Sequence, residues 1–307
     1  MRAFIFPGQG SQAVGMGAAL ADASRAAKDV FDEVDEALGQ NLFRLMRDGP
    51  DEELKLTENA QPAIMAHSIA VLRTMGVTLA DAASFVAGHS LGEYSALCAA
   101  GSFDLATTAK LLKLRGQAMQ QAVPVGEGAM AALLGADLAL AQKIAEAASE
   151  GEVCTVANDN DPSQVVISGQ KGAIDRAIAL AKDMGAKRAV PLPVSAPFHC
   201  PLMQPAPEAM SDALSYVVLE DPAVPLFANV TASAESDPDT IRNQLVEQVT
   251  GMVRWRESVL NMFDAGGHEF VEIGGKVLGS MVKRIVPDAQ VTSVATIEDV
   301  EAAAKEM

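Results

Sequence analysis

The sequence predicts an α/β protein in which a mostly parallel sheet is covered by helices and a smaller β-α-β-β-α-β unit is inserted. Short apolar runs alternate with helical patterns through the first 120 residues, and strand signals resume in the C-terminal third. Between them, residues 126–192 follow a different rhythm. Buried strands that alternate with helices are typical of parallel sheets with both faces covered, because each crossover lays a helix on the sheet.

The N-terminal elements are predicted from apolar periodicity and from the residues favoured at helix ends. Residues 3–6 have the pattern of a strand, and the loop PGQGSQ leads from it into an Ala- and Asp-rich helix that runs to about Leu38. A second helix is expected to start near Pro62 and to end before Gly76, since proline is favoured in the first turn and glycine just after the last. The next expected elements are a strand at 84–88 and helices at 91–100 and 105–123.

The central segment is predicted to be a ferredoxin-like unit. Its expected elements are strand 129–135, helix 137–151, strands 152–159 and 163–169, helix 170–185 and strand 186–194. We therefore expect two lobes, the larger formed by residues 1–125 with 193–307 and the inserted one by residues 126–192. A cleft between two lobes is a common ligand site. Strands expected at 224–232, 268–274 and 289–296 complete the larger lobe.

Composition excludes several classes of function. The formal net charge is −17, with 40 acidic against 23 basic residues, which argues against nucleic acid and anionic membranes as partners. The three cysteines are widely spaced and odd in number, so they predict neither a disulfide framework nor a zinc site. The N-terminus resembles no signal peptide and no segment is long and apolar enough for a membrane span. We expect a cytoplasmic protein without a bound metal.

A serine motif supplies the first candidate for chemistry. Residues 88–92 read GHSLG, between an expected strand and an expected helix. This G-x-S-x-G pattern in that context predicts a nucleophile elbow, in which Ser90 is exposed on a sharp turn and the amide of Leu91 faces a developing oxyanion. The short pattern also occurs in turns that have only a structural role.

The Gly-rich loop after the first strand has two interpretations. It could supply the second oxyanion donor of a serine enzyme, a contribution of about 3–4 kcal/mol to the transition state. Residues 8–13 also match the dinucleotide fingerprint G-x-G-x-x-A. That fingerprint needs an acidic residue about 20 positions later at the end of a strand. Asp29, Asp32 and Glu33 lie at that spacing but within a helical pattern, which disfavours the dinucleotide interpretation.

A nucleophilic serine needs a general base, and the chain has four histidines. His67 lies within a predicted helix, His89 within the elbow itself, and His268 just before a predicted strand. His199 lies in the Pro-bounded loop VSAPFHCPLM after the inserted unit, at the expected mouth of the cleft. Loops on a rigid scaffold often carry catalytic groups, so His199 is the favoured base. The alternative is a loop histidine with only a structural hydrogen bond.

Six segments together resemble a known family. They are FIFPGQGSQAVGMG, GHSLGEYSAL, LLKLRGQAMQ, NDNDPSQVVISG, VSAPFHCPLM and VRWRESV. Their sequences and order resemble the malonyl-CoA:acyl-carrier-protein transacylases, which are similar to the acyltransferase domains of polyketide synthases. The resemblance extends from Phe4 to about Ile273. It implies an α/β-hydrolase-like lobe with a ferredoxin-like insertion, in agreement with the elements predicted above.

The resemblance also implies roles for individual residues. Ser90 would carry the malonyl group as an ester, with His199 as its base and then its acid. The backbone amides of Gln9 and Leu91 would form the oxyanion hole. The family orients its histidine with a main-chain carbonyl rather than an acidic side chain, and the matching position here is Arg254.

Four further residues match the family's acyl site. Arg115 would bind the malonyl carboxylate, a pairing that suits a guanidinium in an otherwise acidic protein. Without the resemblance, a solvated helix arginine would be the simpler interpretation. Asn158 and Gln61 match positions near the acyl group. Phe198 matches the malonyl-selective pattern, in which a bulky ring excludes an α-methyl branch.

The implied reaction moves malonyl from malonyl-CoA to the phosphopantetheine thiol of acyl carrier protein, in fatty-acid synthesis and without a bound cofactor. A polyketide-type pathway, a serine acyl hydrolase and a non-catalytic carrier-binding protein remain as alternatives. An acidic carrier would need a local basic patch. Two candidate patches are Lys182, Lys187 and Arg188, and Lys276, Lys283 and Arg284.

Overall fold

The computed structural model describes residues 1–194 and 196–304. Its strands are β1 (Arg2–Phe6), β2 (Phe85–Gly88), β3 (Gly128–Leu134), β4 (Cys154–Asp161), β5 (Gln164–Gln170), β6 (Arg188–Pro191), β7 (Leu226–Phe227), β8 (Ala234–Glu235), β9 (Glu269–Ile273) and β10 (Gln290–Val294). The helices before β3 are α1 (Ala18–Ala23), α2 (Arg25–Leu38), α3 (Leu42–Asp48), α4 (Asp51–Leu54), α5 (Thr57–Met75), α6 (Leu79–Ala82), α7 (Gly92–Ala99) and α8 (Leu105–Ala122). Those after it are α9 (Leu138–Ser149), α10 (Lys171–Ala181), α11 (Pro205–Ser215), α12 (Pro238–Glu247), α13 (Trp255–Asp264), α14 (Leu278–Ile285) and α15 (Ile297–Ala303).

The larger sheet has six strands in the order β10-β9-β1-β2-β7-β8, and only β8 is antiparallel to its neighbour. Strand β1 lies inside it and is buried on both faces. Phe4 and Phe6 pack into one hydrophobic cluster, whereas Ala3 and Ile5 pack into another on the opposite face. Alternate side chains of a strand point to opposite faces, so a continuous apolar run is what a sheet covered on both sides requires.

The smaller sheet is antiparallel throughout, in the order β4-β5-β3-β6. Helices α9 and α10 cover it with a separate apolar cluster that includes Leu133, Ile144 and Ile174. A mostly parallel sheet with a β-α-β-β-α-β unit inserted in the chain confirms the predicted fold class. We propose that residues 126–192 form a subdomain with its own core.

Side chains of strand β4 hold the two sheets together. Arg256 on α13 pairs with the buried Asp159, and Arg284 on α14 pairs with the buried Asp161, each at 2.8 Å. Nε2 of His89, at the end of β2, lies 2.8 Å from Oδ1 of Asn160. The serine motif is therefore tied directly to the inserted unit.

Two sequence predictions about elements were wrong, and helix α3 was missed. Helix α5 begins at Thr57, so Pro62 lies inside it rather than in its first turn. Because this helix is buried along most of its length, packing stabilises it despite the interior proline. Helix α3 was not predicted, although Leu42, Leu45 and Met46 anchor it in the core. Strand β7 has only two residues, since the chain turns at once into the antiparallel β8.

No helix in the described part of the chain is long and apolar enough to cross a membrane.

Candidate active site

The turn between β2 and α7 forces Ser90 into a strained backbone conformation. Ser90 has φ 55°, in the left-handed region that non-glycine residues rarely adopt. A Cβ on Gly88 would lie 1.9 Å from the carbonyl carbon of Gly92, and one on Gly92 would lie 2.3 Å from the Phe6 oxygen. Both positions therefore require glycine, as a nucleophile elbow does. The turn presents the Ser90 hydroxyl at the start of α7.

Ser90 and His199 lie together although 109 residues separate them. Oγ of Ser90 is 2.8 Å from Nε2 of His199. Nδ1 of His199 lies 2.9 Å from the carbonyl oxygen of Gln248 and 3.2 Å from that of Gly251. Because carbonyl oxygens only accept hydrogen bonds, Nδ1 carries the ring hydrogen and Nε2 is free to accept the serine proton. The pair has the geometry of a nucleophile with its base.

The carbonyl predicted to orient the histidine was the wrong one. The carbonyl oxygen of Arg254 accepts hydrogen bonds from the backbone N and Oγ of Ser258, each at 2.9 Å. It caps the first turn of α13 and is engaged there, while the Arg254 side chain pairs with Glu257. Main-chain carbonyls of Gln248 and Gly251 take its place beside His199.

Arg115 on α8 is 1% exposed, and its guanidinium faces the serine. Nη1 donates to Oε1 of Gln61 at 2.8 Å. Nη2 donates to Oε1 of Gln248 at 2.8 Å and to Oγ of Ser90 at 3.1 Å. These partners are all uncharged, and within residues 1–194 and 196–304 no carboxylate forms an ion pair with this guanidinium. A buried cation without a directly paired anion is an attractive site for a carboxylate on a substrate.

A cavity of about 390 Å³ opens over these three groups. The predicted residues Gln9, Gln61, Asn158 and Phe198 line it together with Ser90, Arg115 and His199. Leu91 is buried beside the serine. Among the described residues no acceptor pairs with the backbone amides of Gln9 and Leu91, the two amides predicted to form the oxyanion hole.

Known proteins resemble this chain over almost its whole length. Residues 3–297 match the family model of the acyl transferase domain. The chain belongs to the acyltransferase family. The malonyl CoA-acyl carrier protein transacylase of Escherichia coli K12 is 46% identical to this acyltransferase over 285 residues, which is 92% of each chain.

Solved structures of acyltransferases superpose over nearly the whole chain. The acyl-carrier-protein S-malonyltransferase of Bartonella henselae is 51% identical with a TM-score of 0.97, and the match covers 100% of this acyltransferase and 99% of the other chain. A malonyl-transacylase solved in complex with its type II polyketide-synthase acyl-carrier protein is 40% identical, with a TM-score of 0.96 and 99% coverage of each chain.

Two polar residues that brace the elbow of this acyltransferase were not predicted. Oδ1 of Asn229 accepts from the Ser90 amide at 2.8 Å, and its Nδ2 donates to the Gly88 oxygen at 2.7 Å. Nε2 of Gln248 donates to the backbone carbonyl oxygen of Ser90 at 3.0 Å. Asn229 follows β7, and a polar residue just beyond the carboxyl end of a parallel strand was a signal that could have found it. Gln248 follows α12 and has no such signature.

Burial keeps three histidines of the acyltransferase uncharged. Burial, together with the positive charge of Arg115, lowers the pKa of His199 to about 3. Burial also lowers the pKa of His67 to about 4, and it lowers the pKa of His89. At neutral pH His199 is therefore a neutral imidazole, the form that a general base requires.

These shifts predict a loss of stability in acid. Below about pH 6.5 the unfolded chain binds protons on His67 and His199 and the folded chain does not, so each of these two contributes a loss of about 1.4 kcal/mol per pH unit until the pH approaches its folded-state pKa. The free energy of unfolding, measured by urea denaturation, should fall between pH 7 and pH 5.5 in both the unmodified protein and His67→Gln. The fall should be about 1 kcal/mol smaller in His67→Gln. Replacing the exposed His268 by glutamine is the matched control. An equal fall in the His67 variant and the unmodified protein would contradict the prediction.

Proposed function

We propose that this acyltransferase moves the malonyl group from malonyl-CoA to the phosphopantetheine thiol of acyl carrier protein, through an ester on Ser90, and so supplies fatty-acid synthesis. The observation that carries the proposal is the buried Arg115 guanidinium, which lies 3.1 Å from Ser90 Oγ and whose hydrogen-bond partners among the described residues are uncharged. An acyl group with a terminal carboxylate fits a nucleophile beside such a cation. The relatives named as malonyl transacylases support the same substrate.

In the first half-reaction, Nε2 of His199 takes the proton of Ser90 Oγ while the oxygen attacks the thioester carbonyl. The negative charge on that carbonyl oxygen is stabilised by the amides of Gln9 and Leu91, and each such donor contributes about 3–4 kcal/mol. The C–S bond then breaks, and His199 returns the proton to the CoA thiol. Malonyl remains as an ester on Ser90, with its carboxylate on Arg115.

In the second half-reaction, the thiol of the carrier's phosphopantetheine replaces CoA in the cavity. His199 takes the thiol proton, the sulfur attacks the ester carbonyl, and the proton passes to Ser90 Oγ as the ester breaks. Because CoA and the carrier share the phosphopantetheine arm, one cavity serves both thiols in turn. We propose that Phe198 and Asn158 shape the acyl end, where rejection of one extra methyl group gives about 1–3 kcal/mol of selectivity.

A competition assay tests the proposal. The protein is incubated with malonyl-CoA and equal amounts of acetyl-CoA and methylmalonyl-CoA, then mixed with phosphopantetheinylated carrier. We expect peptide mass spectrometry to find one malonyl group on the Ser90 peptide, and the carrier to receive malonyl in preference to the other groups. Release of malonate to water faster than transfer would instead identify a hydrolase. Comparing carriers of fatty-acid and polyketide type distinguishes the two pathways, since one relative is bound to a polyketide carrier.

The two candidate basic patches differ in their surroundings. Lys276 pairs with Asp299, Arg284 pairs with Asp161, and Lys283 donates to the Ala289 carbonyl. By contrast, the other patch lies at the end of α10 and the start of β6. It is exposed, and none of its residues forms an ion pair in the described part of the chain. Its members are Lys182, Lys187 and Arg188. We propose that this patch binds the acidic carrier.

Charge reversal at Lys187 should weaken carrier binding alone. We expect Lys187→Glu to raise KM for the carrier about 5- to 20-fold at low salt, a rim-charge effect that rising ionic strength diminishes. KM for malonyl-CoA hydrolysis or loading should change far less. Lys276→Glu, in the engaged patch, is the matched control. Equal carrier KM values in the two variants would exclude the Lys187 patch.

The proposed chemistry uses no resident cofactor, because the thioester already activates the acyl group. We propose that the protein acts in the cytoplasm, where its CoA and carrier substrates are made.

A further inference from the structure

The steps above make no use of the buried Glu93 carboxylate. Glu93 lies in the first turn of α7 and is 1% exposed. Its Oε2 accepts hydrogen bonds from the backbone N–H of Asn229 at 3.0 Å and from Nε2 of Gln248 at 2.9 Å. Its Oε1 is buried without a hydrogen-bond partner in the described part of the chain. A buried carboxylate without an ion pair is costly, so this one calls for a physical explanation.

The Gln248 amide connects Glu93 to Arg115. Its Nε2 donates to Glu93 while its Oε1 accepts from Arg115 Nη2. The side-chain amide of Gln248 cannot be flipped by 180°. In the flipped orientation Oε1 would face two acceptors, the Glu93 carboxylate and the Ser90 carbonyl oxygen, and the NH₂ group would face the guanidinium, which is also a donor. One neutral amide therefore separates a buried anion from a buried cation. Burial raises the pKa of Glu93 and the charge of Arg115 opposes that shift, while burial lowers the pKa of Arg115 and the charge of Glu93 opposes it. Glu93 therefore balances Arg115 while the acyl site is empty.

A malonyl group changes this balance. Once its carboxylate lies on Arg115, two buried anions share one cation. The other titratable groups around Glu93 do not compensate: burial raises the pKa of the neighbouring Tyr94, and burial is the first cause that lowers the pKa of His199 to about 3. We infer that Glu93 is the counter-charge of Arg115 in the empty site and takes up a proton from solvent when a malonyl carboxylate occupies Arg115. The inference rests on the proposed function.

The proton has a place to go. It binds Oε1, the oxygen without a partner, which leaves both hydrogen bonds to Oε2 in place. Burial raises the pKa of Glu93 to about 7, so a second nearby anion acts on a group already close to protonation. Loading itself leaves the proton count unchanged, since the Ser90 proton ends on the CoA thiol, which is mostly protonated at neutral pH. An acetyl group has no carboxylate and should cause no uptake.

Counting protons during loading tests the inference. The full-length protein is mixed with malonyl-CoA at pH 7.0 in weak buffer with a pH indicator, and intact mass reports the ester. We expect uptake of up to about half a proton per ester, because a group with a pKa near 7 is half ionised at that pH. Acetyl-CoA, at a concentration that gives the same ester occupancy, should give none. Infrared difference spectra should show a gain in protonated carboxylic acid after malonyl loading and no gain after acetyl loading.

Glu93→Gln is the matched variant, because its amide oxygen keeps an acceptor for Asn229 and Gln248 without the charge. Both the uptake and the carboxylic acid band should disappear in it. Ester formation without uptake in the unmodified protein would overturn the inference and leave the proposed function intact. Equal uptake with acetyl-CoA, or uptake retained in the variant, would also overturn it. If no ester forms on Ser90, the proposed function fails first.

Discussion

Replacing Ser90 by alanine is expected to abolish the malonyl ester and to lower the rate of transfer to the carrier at least 10⁴-fold, to roughly the residual level of other serine enzymes without their nucleophile. Ser90 Oγ is the atom that lies within hydrogen-bond reach of both His199 and Arg115. The strained turn, with φ 55° at Ser90, holds the hydroxyl at that point. Peptide mass spectrometry and a steady-state transfer assay measure the two effects.

Ser95→Ala is the control for this prediction. Ser95 lies on the same helix, is buried, and its Oγ has no hydrogen-bond partner among the described residues, so its loss should leave transfer nearly unchanged. His199→Ala should lose nearly as much activity as Ser90→Ala, and the double variant should be no worse than either, because the two groups act as a unit. Transfer within tenfold of normal in Ser90→Ala would rule out the covalent route.

Arg115→Ala should reverse the acyl preference. We expect kcat/KM for malonyl loading to fall about 10²- to 10⁴-fold, equivalent to about 3–5.5 kcal/mol, because a buried substrate carboxylate would lose the cation that it binds directly. Acetyl loading should fall less than about tenfold, since an acetyl group makes no use of the charge. Measuring both rates over a range of acyl-CoA concentrations gives the ratio that reports the role of Arg115.

Arg115→Lys separates charge from geometry. A lysine ammonium supplies a point charge but cannot bind Gln61, Gln248 and a carboxylate together as the forked guanidinium does. Malonyl loading by this variant should lie between those of Arg115→Ala and the unmodified protein. Equal proportional losses for malonyl and acetyl in Arg115→Ala would mean that Arg115 supports the fold of the site rather than its selectivity.

The sequence predicted the site best where function depends on local backbone conformation. The elbow consists of a strand, a glycine turn and a helix that are contiguous in the sequence around Ser90, so the sequence pattern alone predicts it. The guanidinium of Arg115 and the ring of His199 were assigned through the resemblance, and position along the chain supported only the histidine. Contacts that depend on a main-chain carbonyl were missed, because any residue type has one. The misplaced orienting role of Arg254 shows this limit.

The fold was predictable to a similar depth. Alternation of strands and helices identified the two sheets, because each strand carries its own apolar pattern. The short helix at Leu42–Asp48 and the true start of α5 were missed, since tertiary packing rather than end signals stabilises them. The ion pairs of β4 with α13 and α14 could not be predicted from the sequence either, because they depend on how the two sheets lie against each other.

The position of Gln248 in the chain also bears on how the protein is made. Ser90 is synthesised 158 residues before Gln248. Gln248 accepts a hydrogen bond from the Arg115 guanidinium through its side chain, and its backbone carbonyl faces His199. A nascent chain that ends before Gln248 carries the serine, the imidazole, the guanidinium and Gln61, but it lacks the Gln248 side chain that binds the guanidinium and both carbonyls that face the imidazole. The hydrogen bonds that orient the imidazole and complete those of the guanidinium can therefore form only after synthesis has reached Gly251.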